Sequence, residues 1–122
     1  MRIFLDYDFA NLNKIVCASR TNFYMANTLK KKEMEIVKDT VTGLKPVTEY
    51  PVKITFIWHF KTKQRDLDNC VPKNILDALV SLKILKNDNI NCIREIHHKS
   101  VLDDKWCVEL EIEKWEEDEC KH

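Results

Sequence analysis

Residues 52–79 read VKITFIWHFKTKQRDLDNCVPKNILDAL. Over the first nine, Val52, Ile54, Phe56, Trp58 and Phe60 fall on one side, and Lys53, Thr55, Ile57 and His59 on the other. That two-residue period predicts a strand with one face against a core. The pattern then breaks. A short basic stretch, Lys61–Arg65, leads into a D-x-D at Asp66 and Asp68, and a helix is expected from about Asn69 to Leu82. Pro72 is tolerable there only in the first turn, where backbone donors have few intrahelical partners. Asp68 or Asn69 is the expected N-cap.

Working outward, Arg2–Leu5 predicts a first strand, and a helical pattern runs from about Asn22 to Thr42. On that helix Phe23, Met25, Ala26, Leu29, Met34, Ile36, Val37 and Val41 share a broad apolar face, opposite Lys31, Lys32, Glu35 and Lys38. Gly43, the only glycine in the chain, follows as its C-cap. ILKNDN, residues 84–89, is a turn. Strands are expected near 92–101 and 105–113, joined at Asp103-Asp104. In the second of these Trp106, Val108, Leu110 and Ile112 alternate with Cys107, Glu109, Glu111 and Glu113. The expected order is β-α-β-α-β-β: an α+β domain of two main helices on a mixed four-stranded sheet. It would span residues 1–113, with an acidic tail over 114–122.

Composition excludes several classes. The 122 residues suit one domain with a modest core. No apolar run approaches the roughly 18 residues of a membrane span, and MRIFLDYDF lacks the features of a secretory signal. A cytoplasmic protein is expected. Five cysteines (Cys17, Cys70, Cys92, Cys107, Cys120) form no C-x-x-C pair, which favours thiols over a zinc site or disulfides. A single glycine leaves no P-loop or dinucleotide fingerprint, so no nucleotide cofactor bound that way. The net charge of zero hides an asymmetry. Residues 14–45 carry seven Lys/Arg against three acids, residues 53–73 five against two, and residues 103–122 nine acids against three lysines. Basic segments beside an acidic end suit a protein meeting a polyanion on one face, though mixed solvated surfaces give the same counts.

The carboxylates carry the sharper signal. Two carboxylates about 5 Å apart repel by roughly 3 kcal/mol at an effective dielectric of 20. The remedies are a raised pKa, pairing with Arg65 or Lys73, or a bound cation. Hard oxygen ligands suit Mg²⁺, with Mn²⁺ as a substitute, and such an ion serves phosphodiester hydrolysis. Asp88, in the KNDN turn, is a third carboxylate if the chain folds it back. Alone, D-x-D also describes an N-cap beside a solvated acid.

The run R-D-L-D-N-x-x-P-K-x-I-L-D-A-L at Arg65–Leu79, with Asn87-Asp88 downstream, resembles the RusA family of Holliday-junction resolvases. The block L-N-K-I-V-x-A-S-R-x-N-x-Y-x-A-x-x-x-K-K at Leu12–Lys31 is similar to the N-terminal block of phage-type members. The resemblance covers about residues 1–113. It implies a RusA-like fold and a homodimeric endodeoxyribonuclease, often carried by prophages. Such an enzyme resolves four-way junctions by paired symmetric nicks in DNA recombination and repair. Asp66 and Asp68 match the paired metal-binding aspartates, and Asp88 matches the third, with Asn87 where an Asp usually precedes it. Lys73 matches the catalytic lysine, one residue further from D-x-D than in shorter members, the extra residue being marked by Pro72.

Arg20, Lys30, Lys31, Lys32, Lys61, Lys63 and Arg65 are the candidate phosphate contacts, which grip DNA without reading sequence. Tyr24 stands alone on a polar helix face, suited to base stacking or half-buried packing. His59, His97 and His98 read as strand-surface residues without a carboxylate at a suggestive spacing. Asp77 fits a site or a structural role, and Cys70 a core-facing one. Two other readings stay open: a nuclease for other branched DNA, and a nucleic-acid-binding protein whose catalysis has decayed.

Overall fold

The computed structural model describes residues 1–21 and 23–117. Its strands are β1 (Arg2–Leu5), β2 (Val52–Phe60), β3 (Ile93–Leu102) and β4 (Cys107–Lys114), and its helices α1 (Leu12–Thr21), α2 (Phe23–Val41) and α3 (Lys73–Ser81). The sheet order is β1-β4-β2-β3. β4 runs antiparallel to both β1 and β2, whereas β2 and β3 are parallel. The mixed four-stranded α+β architecture is as expected from the alternation of β2 and β4.

The period of β2 holds because its alternate residues meet different media. Val52, Ile54, Phe56, Trp58 and Phe60 are buried, and they join Ile3 and Leu5 of β1, Val37 and Val41 of α2, Ile75 and Leu79 of α3, and Leu110 of β4 in one core. Each such side chain contributes about 1.5–3 kcal/mol by leaving water. Gly43 takes φ 89° directly after α2, and the Leu44 amide donates to the Val41 carbonyl at 3.0 Å. A left-handed helix terminus of this kind favours glycine.

Three expectations need correction. Two helices, not one, separate β1 from β2. The extra helix α1 carries a short apolar stripe, Leu12, Ile15 and Val16, at helical spacing, yet Leu12 and Val16 remain 46% and 38% exposed. The helix after D-x-D begins at Lys73 rather than Asn69: Leu67–Asn69 form a separate 3-10 turn, and Pro72 itself occupies the N-cap position of α3 without a side-chain cap. Neither Asp68 nor Asn69 caps that helix. Met25, expected in the core, is 47% exposed, while Glu33 of the same helix is buried. At the other end β4 extends to Lys114, and the Trp115 amide donates to the Pro51 carbonyl at 2.9 Å. Arg94 lies over the Trp115 ring at 4.7 Å, so Trp115 packs onto the domain while Glu116 and Glu117 stay exposed. The rest of the acidic tail, 118–122, lies outside the described residues.

The parallel pairing of β2 and β3 has a consequence for function. α3 must carry the chain back along the sheet between them, as parallel strands require. Asp66 and Asp68 therefore follow the C-terminal end of β2, and Asp88 precedes the N-terminal start of β3, at the opposite end of the sheet.

Candidate functional site

The D-x-D loop is held by its apolar neighbours. Leu67 and Cys70 pack against the core, and the Asn69 and Cys70 amides donate to the Asp66 and Leu67 carbonyls, both at 3.1 Å. This turn leaves Asp66 and Asp68 exposed to solvent. The two cations nearest in sequence are engaged elsewhere. Arg65 donates twice to the Asp8 carboxylate, at 3.2 and 3.1 Å, and its guanidinium lies 4.3 Å from the centre of the Trp106 ring. Lys73 is 3.5 Å from Asp77, which Lys30 of α2 approaches at the same distance. Among the described residues no cation pairs with Asp66 or Asp68.

The scaffold behind this loop turns on a residue that sequence reasoning missed. Glu33 is 1% exposed. Its Oε2 accepts from the Ala10 amide and its Oε1 from the Asn74 side-chain amide, both at 2.7 Å. One carboxylate thus ties α2 to the loop carrying Asp8 and to the first turn of α3 beside Lys73. The signal that could have found it is its phase: Glu33 stands four residues from both Leu29 and Val37, inside the apolar face of α2 rather than among Lys31, Lys32, Glu35 and Lys38.

A small pocket opens between these parts, lined among others by Tyr7, Asp8, Arg65, Asp66, Cys70 and His59. Burial pushes the Cys70 thiol up to about 11, the Arg65 charge opposing and the Asp8 and Asp68 charges assisting. Cys70 therefore stays a neutral thiol at physiological pH and is not a nucleophile. Its core-facing role is as expected.

His59 departs from expectation. Its side chain is 12% exposed, and its Nδ1 lies 2.8 Å from Asp103 Oδ2. The Asp103 carboxyl is held below the usual range by the Asp104 amide and by His59. The other ring nitrogen, Nε2, is buried without a hydrogen bond and lies 3.6 Å from Glu109 Oε1. Cys107 stands directly opposite His59 across the β2–β4 pair, and burial raises its thiol pKa. The partner of His59 comes 44 residues later, across the β3–β4 turn. His98 is structural: its Nδ1 accepts from Trp58 Nε1 at 3.0 Å, its ring stacks on Phe56, and burial lowers its pKa. His97 stays on the surface, 3.4 Å from Glu95.

The remaining candidates are dispersed. Asp88 is exposed in its turn, its amide bonded to Asn87 Oδ1 at 2.7 Å. Among the described residues Asp66, Asp68 and Asp88 do not form a set of ligand atoms within 4.8 Å of one another; the set that does is His59, Asp103 and Cys107. Lys30, Lys31 and Lys32 line an exposed stretch of α2, with Lys32 5.9 Å from the Tyr7 ring. Lys61 and Lys63 are exposed just after β2, and Arg20 is exposed at the end of α1. Tyr24 is 78% exposed, which sets aside half-buried packing. Among the described residues no helix is long and apolar enough to cross a membrane.

A scan against models of known protein families matches none of them. A search of curated proteins finds no match either.

Proposed function

We propose that the chain is a Mg²⁺-dependent endodeoxyribonuclease that resolves four-way DNA junctions as a homodimer, in recombination and repair. The observation that carries this is the exposed Asp66–Asp68 pair, whose two neighbouring cations are bound to Asp8 and Asp77 instead. Two hard carboxylates left without a protein cation are the donor set that Mg²⁺ takes, since it uses one or two carboxylates and leaves other positions to water and phosphate. Mn²⁺ would substitute. Bound there, the ion would polarise a phosphoryl oxygen and activate water. Lys73, whose side chain is 74% exposed, would exchange Asp77 for the scissile phosphate and steady its charge. Lys30, Lys31, Lys32, Lys61, Lys63 and Arg20 would grip flanking phosphates. Arg65 would act chiefly through Asp8, by fixing the wall of the pocket.

The position of Asp88 makes the dimer part of the mechanism. A nine-residue strand spans about 30 Å, so one chain does not offer all three aspartates to one ion. A two-fold partner, packed antiparallel, would bring its Asp88 to this chain's Asp66 and Asp68, and the same symmetry would pair the nicks. The protein would work in the cytoplasm, where Cys70, Cys92 and Cys107 stay reduced, in a cell or prophage setting.

The same separation favours a second reading, a branched-DNA-binding protein whose catalysis has decayed. A junction-nicking assay with Mg²⁺ decides between them. The nuclease cuts and its Asp68→Asn variant binds without cutting; the decayed binder binds and cuts in neither Mg²⁺ nor Mn²⁺.

A further inference from the structure

We propose that His59, Asp103 and Cys107 form a transition-metal site that takes Zn²⁺. His59 and Cys107 border the pocket that Asp66 also lines, but no D-x-D carboxylate enters the ligand set, and the site does not rest on the nuclease reading. The three residues come from the end of β2, the β3–β4 turn and the start of β4, and their ligand atoms lie within 4.8 Å of one another. A tetrahedral zinc with bonds of about 2.0–2.3 Å holds its ligand atoms roughly 3.3–3.8 Å apart. Closing this set on an ion thus asks the farthest ligand atoms to draw together by about 1–1.5 Å and the His59–Asp103 pair, now 2.8 Å apart, to open by about 0.5 Å.

The donor chemistry selects the metal. A thiolate and an imidazole favour zinc over Mg²⁺ or Ca²⁺, and a carboxylate completes a mixed set that zinc accepts. Cys107 is 4% exposed, and the Asp103 carboxylate is already fixed by the Asp104 amide at 2.6 Å. Two of the three ligands are therefore held in place before any ion arrives. Zinc chemistry also accounts for the orphaned nitrogen. With its proton on Nδ1, given to Asp103, His59 turns a bare Nε2 toward the Glu109 carboxylate 3.6 Å away, two acceptors facing each other in a buried place. A metal on Nδ1 moves that proton to Nε2, which then donates to Glu109, the outer-shell carboxylate that ligating histidines commonly have. The Cys107 thiol gives up its proton to solvent as it binds. Three protein ligands leave a fourth position for water.

The test is metal titration of the purified full chain, first stripped with a chelator. We expect one zinc per chain in competition with a chromophoric chelator. We also expect Co²⁺ substitution to give a near-ultraviolet thiolate charge-transfer band with tetrahedral visible bands. Cys107→Ser should abolish the charge-transfer band, and His59→Gln should weaken zinc by about 10-fold or more. Cys70→Ser should leave both unchanged. Should Cys107→Ser fail to fold, Asp103→Asn in the β3–β4 turn serves instead, with zinc weakened by about 10-fold or more. Absence of the charge-transfer band in the unaltered chain, or its loss in Cys70→Ser while Cys107→Ser keeps it, would overturn the proposal.

Discussion

Glu33 and Asn74 meet through a 2.7 Å hydrogen bond, side chain to side chain, across 41 residues of sequence. It fixes the first turn of α3 to α2, one residue after Lys73. The same carboxylate holds the Ala10 amide, so the Asp8 loop and the Lys73 helix share one buried anchor. Removing an acceptor that leaves buried donors unpaired costs about 1–3 kcal/mol for each of them.

Glu33→Ala should therefore lower unfolding stability by about 2–4 kcal/mol. Glu33→Gln keeps an acceptor for one donor and should cost about half of that or less. Urea titrations with equal m-values read the difference directly. A change below about 0.5 kcal/mol in Glu33→Ala, the range of ordinary surface substitutions, would show that the anchor is not holding these elements.

Cys70 gives a pH dependence. Its thiol pKa rises from an ordinary 9.0 to about 11 on folding, through burial. Between those values the folded chain keeps a proton that the unfolded chain releases. Stability from this group is full below about pH 9 and is lost as pH climbs through 11. Urea midpoints measured at pH 7, 9 and 10.5 should fall, and Cys70→Ala should fall less steeply. Tyr7 and Cys107, also shifted upward, keep the variant's slope from vanishing. Identical slopes in the two proteins would remove Cys70 from the account.

The separation of Asp88 from Asp66 and Asp68 makes a mixing experiment informative. Asp68→Asn and Asp88→Asn should each abolish junction cutting alone. If the partner supplies Asp88, a heterodimer of the two variants contains one site with both residues intact, and it should nick one strand of the pair. If each site draws all its carboxylates from one chain, the mixture stays inactive. Recovery of single nicks, absent from either variant alone, is the expected result.

The sheet was legible in the sequence because β2 and β4 each have one wet and one dry face, which is what alternation records. α1 was not read, although Leu12, Ile15 and Val16 stand at helical spacing, because ten residues offer only one turn's worth of that stripe. The D-x-D loop was legible as chemistry, but the start of α3 was not. Pro72 fits a first helical turn and an N-cap equally well, and only the 3-10 turn before it decides between them. Contacts that cross the fold were beyond reach. Asp103 meets His59 only through the β3–β4 turn, and the partners that make a buried Glu33 tolerable, the Ala10 amide and Asn74, come from distant parts of the chain. The distance of Asp88 follows from the parallel direction of β3, which a list of strands does not contain.

The central claim is cutting, and one assay meets it most directly. The purified protein is incubated with a synthetic four-way junction, with a linear duplex of the same arms as control, in Mg²⁺ and then in excess EDTA. The account predicts paired nicks at symmetric positions in two opposed strands of the junction, none in the duplex, and none once EDTA removes the ion. Cutting that persists in EDTA, or a junction bound but left whole in both Mg²⁺ and Mn²⁺, would contradict it.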